Sequence, residues 1–147
     1  RACTTATMSG ALPLLVPGMV PTERAREMVE RHLVPGGTFT GEALPRYTLR
    51  RASAVTGRPS HERLPQLLWR GPCSWMNMNY CVATILREHG HGAEAAALSS
   101  RALDAVERVG AYEYLHADAR SGGGARPFSW NGLVLPMIRE SYSASAE

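Results

Sequence analysis

One acidic residue in this 147-residue chain stands between two phenol rings, in Tyr112-Glu113-Tyr114. A glycine run follows, Gly122-Gly123-Gly124, and then Pro127-Phe128-Ser129-Trp130. A carboxylate among aromatic rings, beside a loop of small residues, suits work on sugars. Hydrolysing a glycosidic bond takes two carboxyl groups across the ring. One protonates the leaving oxygen; the other activates water at a separation of roughly 6.5–9.5 Å, or attacks directly from closer range. Glu113 suits one of these roles. Tyr112 and Tyr114 are expected on opposite sides of the segment, one packed inward and one lining a sugar site. The glycines permit close approach of backbone to a ligand or to a neighbouring loop. They do not form a phosphate cradle, because no strand precedes them and no Lys or Ser/Thr follows at the required spacing. Asp118 is read as orienting this loop or binding a hydroxyl. The plainer alternative is a surface glutamate after a helix, with both tyrosines in the core.

A second dense stretch is Trp69-Arg70-Gly71-Pro72-Cys73-Ser74-Trp75. Trp69, Trp75 and Trp130 each stand at a helix entrance, where an indole face can stack on a sugar ring or simply pack. Arg70 is a candidate for binding hydroxyls or an acidic group, as are Arg46, Arg50 and Arg51. Asn77 and Asn79 are two apart at a helix start, so at most one faces the site, and Asn79 is favoured. His61, His89 and His91 have no partner at metal or triad spacing. Cys3, Cys73 and Cys81 are odd in number and lack ligand-like pairing, so no zinc site, other metal or cofactor is expected. These cysteines are expected to be small buried residues, unpaired, as in a reducing compartment such as the cytoplasm.

Helices must position these residues. Ala25, Met28, Val29, His32 and Leu33 recur at three- and four-residue spacing, which predicts an amphipathic helix over 22–34 with Thr22 as its cap. Pro35-Gly36-Gly37 ends it. Residues 1–10 are expected to lack fixed structure, and 36–60 to be irregular, before a short turn over 60–68. A helix over 75–89 has Trp75, Met78, Val82, Ile85, Leu86 and His89 on one side and a weakly polar opposite side, so it is expected to be buried nearly all round. A helix over 93–109 has a stripe of Ala95, Leu98, Ala102, Val106 and Val109 and a charged outer face. The last helix spans 130–141, capped by Ser129 and kinked by Pro136. No β pattern of any length is visible. Inner and outer helices in alternation are what an α/α toroid requires. Four or five of them make an arc, so the fold class is all-α, a partial (α/α)6 barrel.

Composition narrows the classes further. The net charge is +3, and every basic residue is Arg; there is no Lys. The arginines are scattered rather than blocked, which argues against a nucleic-acid partner. No apolar run reaches the eighteen or so residues of a membrane helix. The chain opens on Arg1 rather than Met and is expected to start within a longer protein.

Taken together, Trp69-Arg70-Gly71-Pro72, Trp75, Asn77, Asn79-Tyr80, Glu113-Tyr114, the glycines and Phe128-Ser129-Trp130 resemble glycoside hydrolase family 63. Its members include mannosylglycerate and glucosylglycerate hydrolases and processing α-glucosidases. Leu12-Pro13-Leu14, the 22–34 helix, Phe39 and Leu44-Pro45 extend the resemblance over roughly residues 11–140. There are two departures: Cys73-Ser74 stand where the family has one residue, and Pro136 is unexpected in the last helix. The resemblance implies an (α/α)6 barrel and inverting hydrolysis of an α-linked glucoside or mannoside. It places the general base on Glu113 and a sugar contact on Trp69, Arg70, Gly71, Trp75, Asn79, Tyr114 and Trp130. It puts the general acid, an Asp, in a part of the barrel that would precede Arg1. On this reading residues 1–147 are the C-terminal part of a catalytic domain. Its partners are a small carbohydrate and the remainder of the barrel, and the chain alone is inactive. Two other classes stay open: a non-catalytic carbohydrate-binding toroid fragment, and a helical scaffold unrelated to sugars.

Overall fold

Helices carry most of the described part of the chain, residues 8–41, 43–47 and 73–143 of a computed structural model. A 3-10 helix, Met8–Leu15, comes first. Met8, Ala11 and Leu14 are its buried residues. That spacing of three matches three residues per turn, so one edge of the helix is apolar and lies on the core. Residues 8–10, expected to be unstructured, therefore have a place in the fold.

Helix α1 spans Thr22–His32, with Ala25 and Val29 buried. Thr22 does not cap it. Pro21 occupies the cap position and no side chain bonds the first turn, so Thr22 is already the first helical residue. Proline's fixed φ suits this entry, and its missing N–H loses nothing there.

Helix α2, Met76–Glu88, is the centre of the packing. Met76, Met78, Asn79, Val82, Ala83, Ile85 and Leu86 are all buried, which covers both sides of the helix as expected. Truncating a fully buried residue such as Ile85 or Leu86 to alanine costs about 2–5 kcal/mol. Helix α3, Gly92–Val109, buries Ala95, Leu98, Ser99, Ala102 and Ala105. Its stripe is narrower than the sequence suggests, since Val106 and Val109 are only half-buried. The three alanines let α3 lie close against α2 and against α4, Val134–Ser143. Ser141 Oγ meets Ser99 Oγ at 3.1 Å across the α3–α4 contact. Between α2 and α4, Glu140 takes a hydrogen bond from Arg87 and another from the Tyr80 hydroxyl at 3.2 Å.

Pro136 does not kink a long helix. A second 3-10 helix, Ser129–Leu133, precedes α4, which puts Pro136 third in the α-helix. A first-turn N–H has no partner within the helix, so proline costs little there. Ser129 makes no capping bond either.

The small sheet was not expected. Strands β1 (Cys73–Ser74), β2 (Tyr114–His116) and β3 (Gly122–Gly123) form one antiparallel sheet in the order β1-β2-β3. Cys73 faces His116 and Ser74 faces Leu115; Tyr114 faces Gly123 and Leu115 faces Gly122.

Candidate active site

The sheet joins the two dense stretches of the sequence. β1 is the end of the tryptophan stretch, and β2 continues directly from Glu113. Trp75, at the N-cap of α2, is 3% exposed. Its ring centroid lies 5.5 Å from that of Tyr114 and 5.6 Å from that of Tyr47. Both rings cover the indole, so Trp75 is a packing residue in this structure rather than an open platform. Tyr114 is 8% exposed, and its hydroxyl pKa is raised by burial first and then by the neighbouring Cys73 and Glu113. Cys73 is fully enclosed, and burial pushes its thiol up to about 11.

Asn79 is buried at 1% exposure and does not face solvent. Its Nδ2 donates to Ser74 Oγ at 2.8 Å and to the Trp75 carbonyl at 2.7 Å. It ties α2 to β1, and through β1 to the strand after Glu113. Its Oδ1 has no partner among the described residues. Asn77, the less favoured of the two, accepts from the Met78 amide and is half-buried.

Glu113 is half-exposed and fixed at both ends. Its amide donates to the Ala125 carbonyl at 2.9 Å, and its carboxylate Oε2 accepts from the Ala125 amide at 3.1 Å. No hydrogen bond reaches Oε1 from the described residues.

The glycine run makes this approach possible. A Cβ on Gly122 would lie 2.7 Å from the Tyr112 ring, and one on Gly123 would lie 2.7 Å from Tyr114 Cζ. One on Gly124 would lie 2.7 Å from Glu113 Cβ. The glycines thus accept a neighbouring loop, the second of the two uses read from the sequence. Tyr114 goes inward and Tyr112 stays part-exposed, as expected, but strand alternation is not the reason. Residues two apart on a strand share a face; the separation arises because Tyr112 and Glu113 precede the regular strand, which starts at Tyr114. Asp118 Oδ1 accepts from the Arg120 amide at 3.0 Å, so it orients the turn between β2 and β3.

The Phe128–Trp130 segment is held beside Glu113 by Asn131, which the sequence reading overlooks. Asn131 Nδ2 donates to the Tyr112 carbonyl at 2.7 Å and to the Phe128 carbonyl at 3.0 Å, and the Phe128 amide donates to the Ala111 carbonyl at 2.9 Å. Trp130 is half-buried with its ring edge-on to Phe128, at 4.9 Å between centroids. Nothing local marks Asn131, because the carbonyl it serves is nineteen residues away. Trp69, Arg70 and Gly71 lie outside the described residues, as do Arg50, Arg51 and His61. Among the described residues no three His, Cys, Asp or Glu cluster as a metal site would need. No described helix is long and apolar enough to cross a membrane.

Comparison with known proteins adds the family. Residues 1–131 match the sequence model of the mannosylglycerate hydrolase MGH1-like glycoside hydrolase domain. A mannosylglycerate hydrolase of Thermus thermophilus is 42% identical over 70 residues, which cover 48% of this chain and 17% of that protein. The fold is similar to the family 63 mannosylglycerate hydrolase solved from another strain of Thermus thermophilus. Its complex with Tris and D-glycerate superposes with a TM-score of 0.66 at 28% identity, and its complex with glucose with 0.64 at 25%. Each match covers 92% of this chain and 30% of the solved one, so the chain spans under a third of that relative's length.

Proposed function

Because the chain belongs to the mannosylglycerate hydrolase MGH1-like glycoside hydrolase domain family, we propose that it is the C-terminal part of an inverting α-glycosidase in which Glu113 is the general base. Membership of that family supports a glycoside hydrolase of the mannosylglycerate hydrolase type; the residue roles, the stereochemistry and the extent of the whole protein are our reading. The observation that carries the reading is the pinned carboxylate. Oε2 is held by the Ala125 amide while Oε1 has no bond from the described residues, which leaves one oxygen to take a proton from water. A fixed base loses little freedom as the proton moves, and the attack starts near its productive geometry.

Inversion needs the second carboxyl on the other face of the sugar, with room for water between them. We assign that acid to a segment N-terminal to this chain, in keeping with the small share of its relatives that the chain covers. The substrate is an α-mannoside or α-glucoside, and a glycerate glycoside suits the names of the relatives. Trp130 offers part of a ring beside the base. Trp75, Asn79 and Tyr114 serve as the bed beneath it. Trp69, Arg70 and Gly71 complete the sugar contacts on the resemblance alone. The free Cys73 and Cys81 thiols suit the cytoplasm.

The test is Glu113→Gln in the full-length protein. General-base catalysis contributes about 10²–10⁴-fold, so turnover should fall by at least about 10²-fold while sugar affinity persists. Unaltered turnover removes Glu113 from the chemistry. The 147 residues alone should not hydrolyse α-mannosides, and hydrolysis by them would refute the missing acid.

A further inference from the structure

Arg126 follows Ala125, the residue that holds the Glu113 carboxylate, and its guanidinium has a seat of its own. Its Cζ lies 5.0 Å from the centroid of the Tyr112 ring. Gly110 makes room on another side: at φ +108°, a Cβ there would lie 3.0 Å from the Arg126 Nη2. Among the described residues its side chain makes a single, long hydrogen bond, Nη1 to the Tyr112 hydroxyl at 3.4 Å. A guanidinium carries five donors in a planar fork, so most of this one faces outward. No described carboxylate pairs with it; among the other described arginines, Arg24, Arg26, Arg31 and Arg87 have an acidic partner, and Arg101 and Arg108 give a hydrogen bond to the Ala43 and Ala119 carbonyls.

We propose that Arg126 is a specificity residue that binds the carboxylate of an acidic aglycone at the Glu113 site. This rests on the hydrolase reading above and deepens it. The arginines singled out from the sequence do not serve as well. Arg46 is half-buried, with its Nε enclosed and unpartnered among the described residues, and Arg50, Arg51 and Arg70 lie outside them. Arg126 combines a fixed charge, a fork that fits a carboxylate at two points, and an aromatic face that limits its freedom before binding. Tyr112 carries that face and is next to Glu113 in the chain. Pairing the cation with the substrate's anion costs no ion pair among the described residues.

The experiment uses the full-length protein with Arg126→Gln and the conservative Arg126→Lys. Two readouts are taken: hydrolysis of α-mannosylglycerate against its neutral methyl ester, and calorimetric binding of D-glycerate with glycerol as control. Charge-assisted bonding of this kind is worth about 10- to 100-fold. Arg126→Gln should lower the preference in kcat/KM for the acid over the ester by that factor, mainly through KM, and weaken D-glycerate binding in parallel. Arg126→Lys should recover part of both, and added salt should compress the difference. Equal loss on both substrates, or glycerate binding that Arg126→Gln leaves alone, overturns the proposal and leaves the hydrolase reading standing. If neither substrate is turned over but Arg126→Gln still weakens glycerate binding, the carboxylate site stands and the hydrolase reading falls.

Discussion

Glu113 and Ala125 bond to each other twice, the Glu113 amide giving to the Ala125 carbonyl at 2.9 Å and the Ala125 amide giving to the Glu113 carboxylate at 3.1 Å. Backbone and side chain of the proposed base are therefore set by one neighbour. Gly124 sits between that neighbour and the rest of the glycine run in a left-handed conformation, φ +78°.

Gly124→Ala tests this arrangement. The added Cβ would crowd the Glu113 Cβ at 2.7 Å, and a left-handed alanine costs roughly 1–2 kcal/mol. A displaced base of about 1 Å can lower turnover roughly 10²-fold. Kinetics on the full-length protein should show that loss in kcat with little change in KM. A wild-type kcat would show that the glycine does not set the carboxylate.

Asn79 gives a prediction about stability. Asn79→Ala removes two bonds from a buried amide and leaves the Trp75 carbonyl and Ser74 hydroxyl without them, at a cost of about 1–3 kcal/mol. Asn79→Asp should cost more, although it is closer in shape. The Trp75 carbonyl can only accept, and an aspartate would face it with an oxygen instead of an N–H, inside a site 1% exposed. Urea unfolding should rank wild type above Asn79→Ala above Asn79→Asp; the reverse order of the two variants would contradict the assigned amide orientation.

His32 gives a pH dependence. Its pKa is lowered by burial first, then by the positive charges of Arg31 and Arg24, with Glu27 opposing. The folded form therefore binds its proton less readily than the unfolded form. The stability this contributes is complete above the unfolded value of about 6.5 and is lost as pH falls through the lower folded value. The ring Nδ1 lies 2.8 Å from Thr38 Oγ1, and Thr38 in turn bonds the Arg31 carbonyl. Denaturant unfolding between about pH 7 and 5 should show a decline that His32→Gln reduces. An identical decline in both proteins would assign it to other groups.

The helices are legible in the sequence because each carries its own evidence within a turn or two. Val29 and Ala25 mark the face of α1, and Ala95, Leu98 and Ala102 mark that of α3, at spacings that only a helix turns into a face. Glu113 is legible as a site because of its aromatic neighbours, and the family resemblance rests on motifs that are likewise local. Cap chemistry is the part of this local signal that misleads. Thr22 and Ser129 are good capping types, yet the chain enters each helix in a geometry that does not use them.

What surrounds Glu113 was decided by tertiary structure. Strands of two and three residues are too short to show any alternation, and their register depends on pairs such as Cys73 with His116, far apart in the chain. The glycines announce that something comes close, but only folding makes that partner the Tyr112-Glu113-Tyr114 segment. The sequence by itself determined which residue types were available: one carboxylate, small residues opposite it, rings on either side. Folding decided which ring is buried, which amide holds the carboxylate and which arginine lies over Tyr112, because those outcomes depend on contacts between segments that share no local pattern.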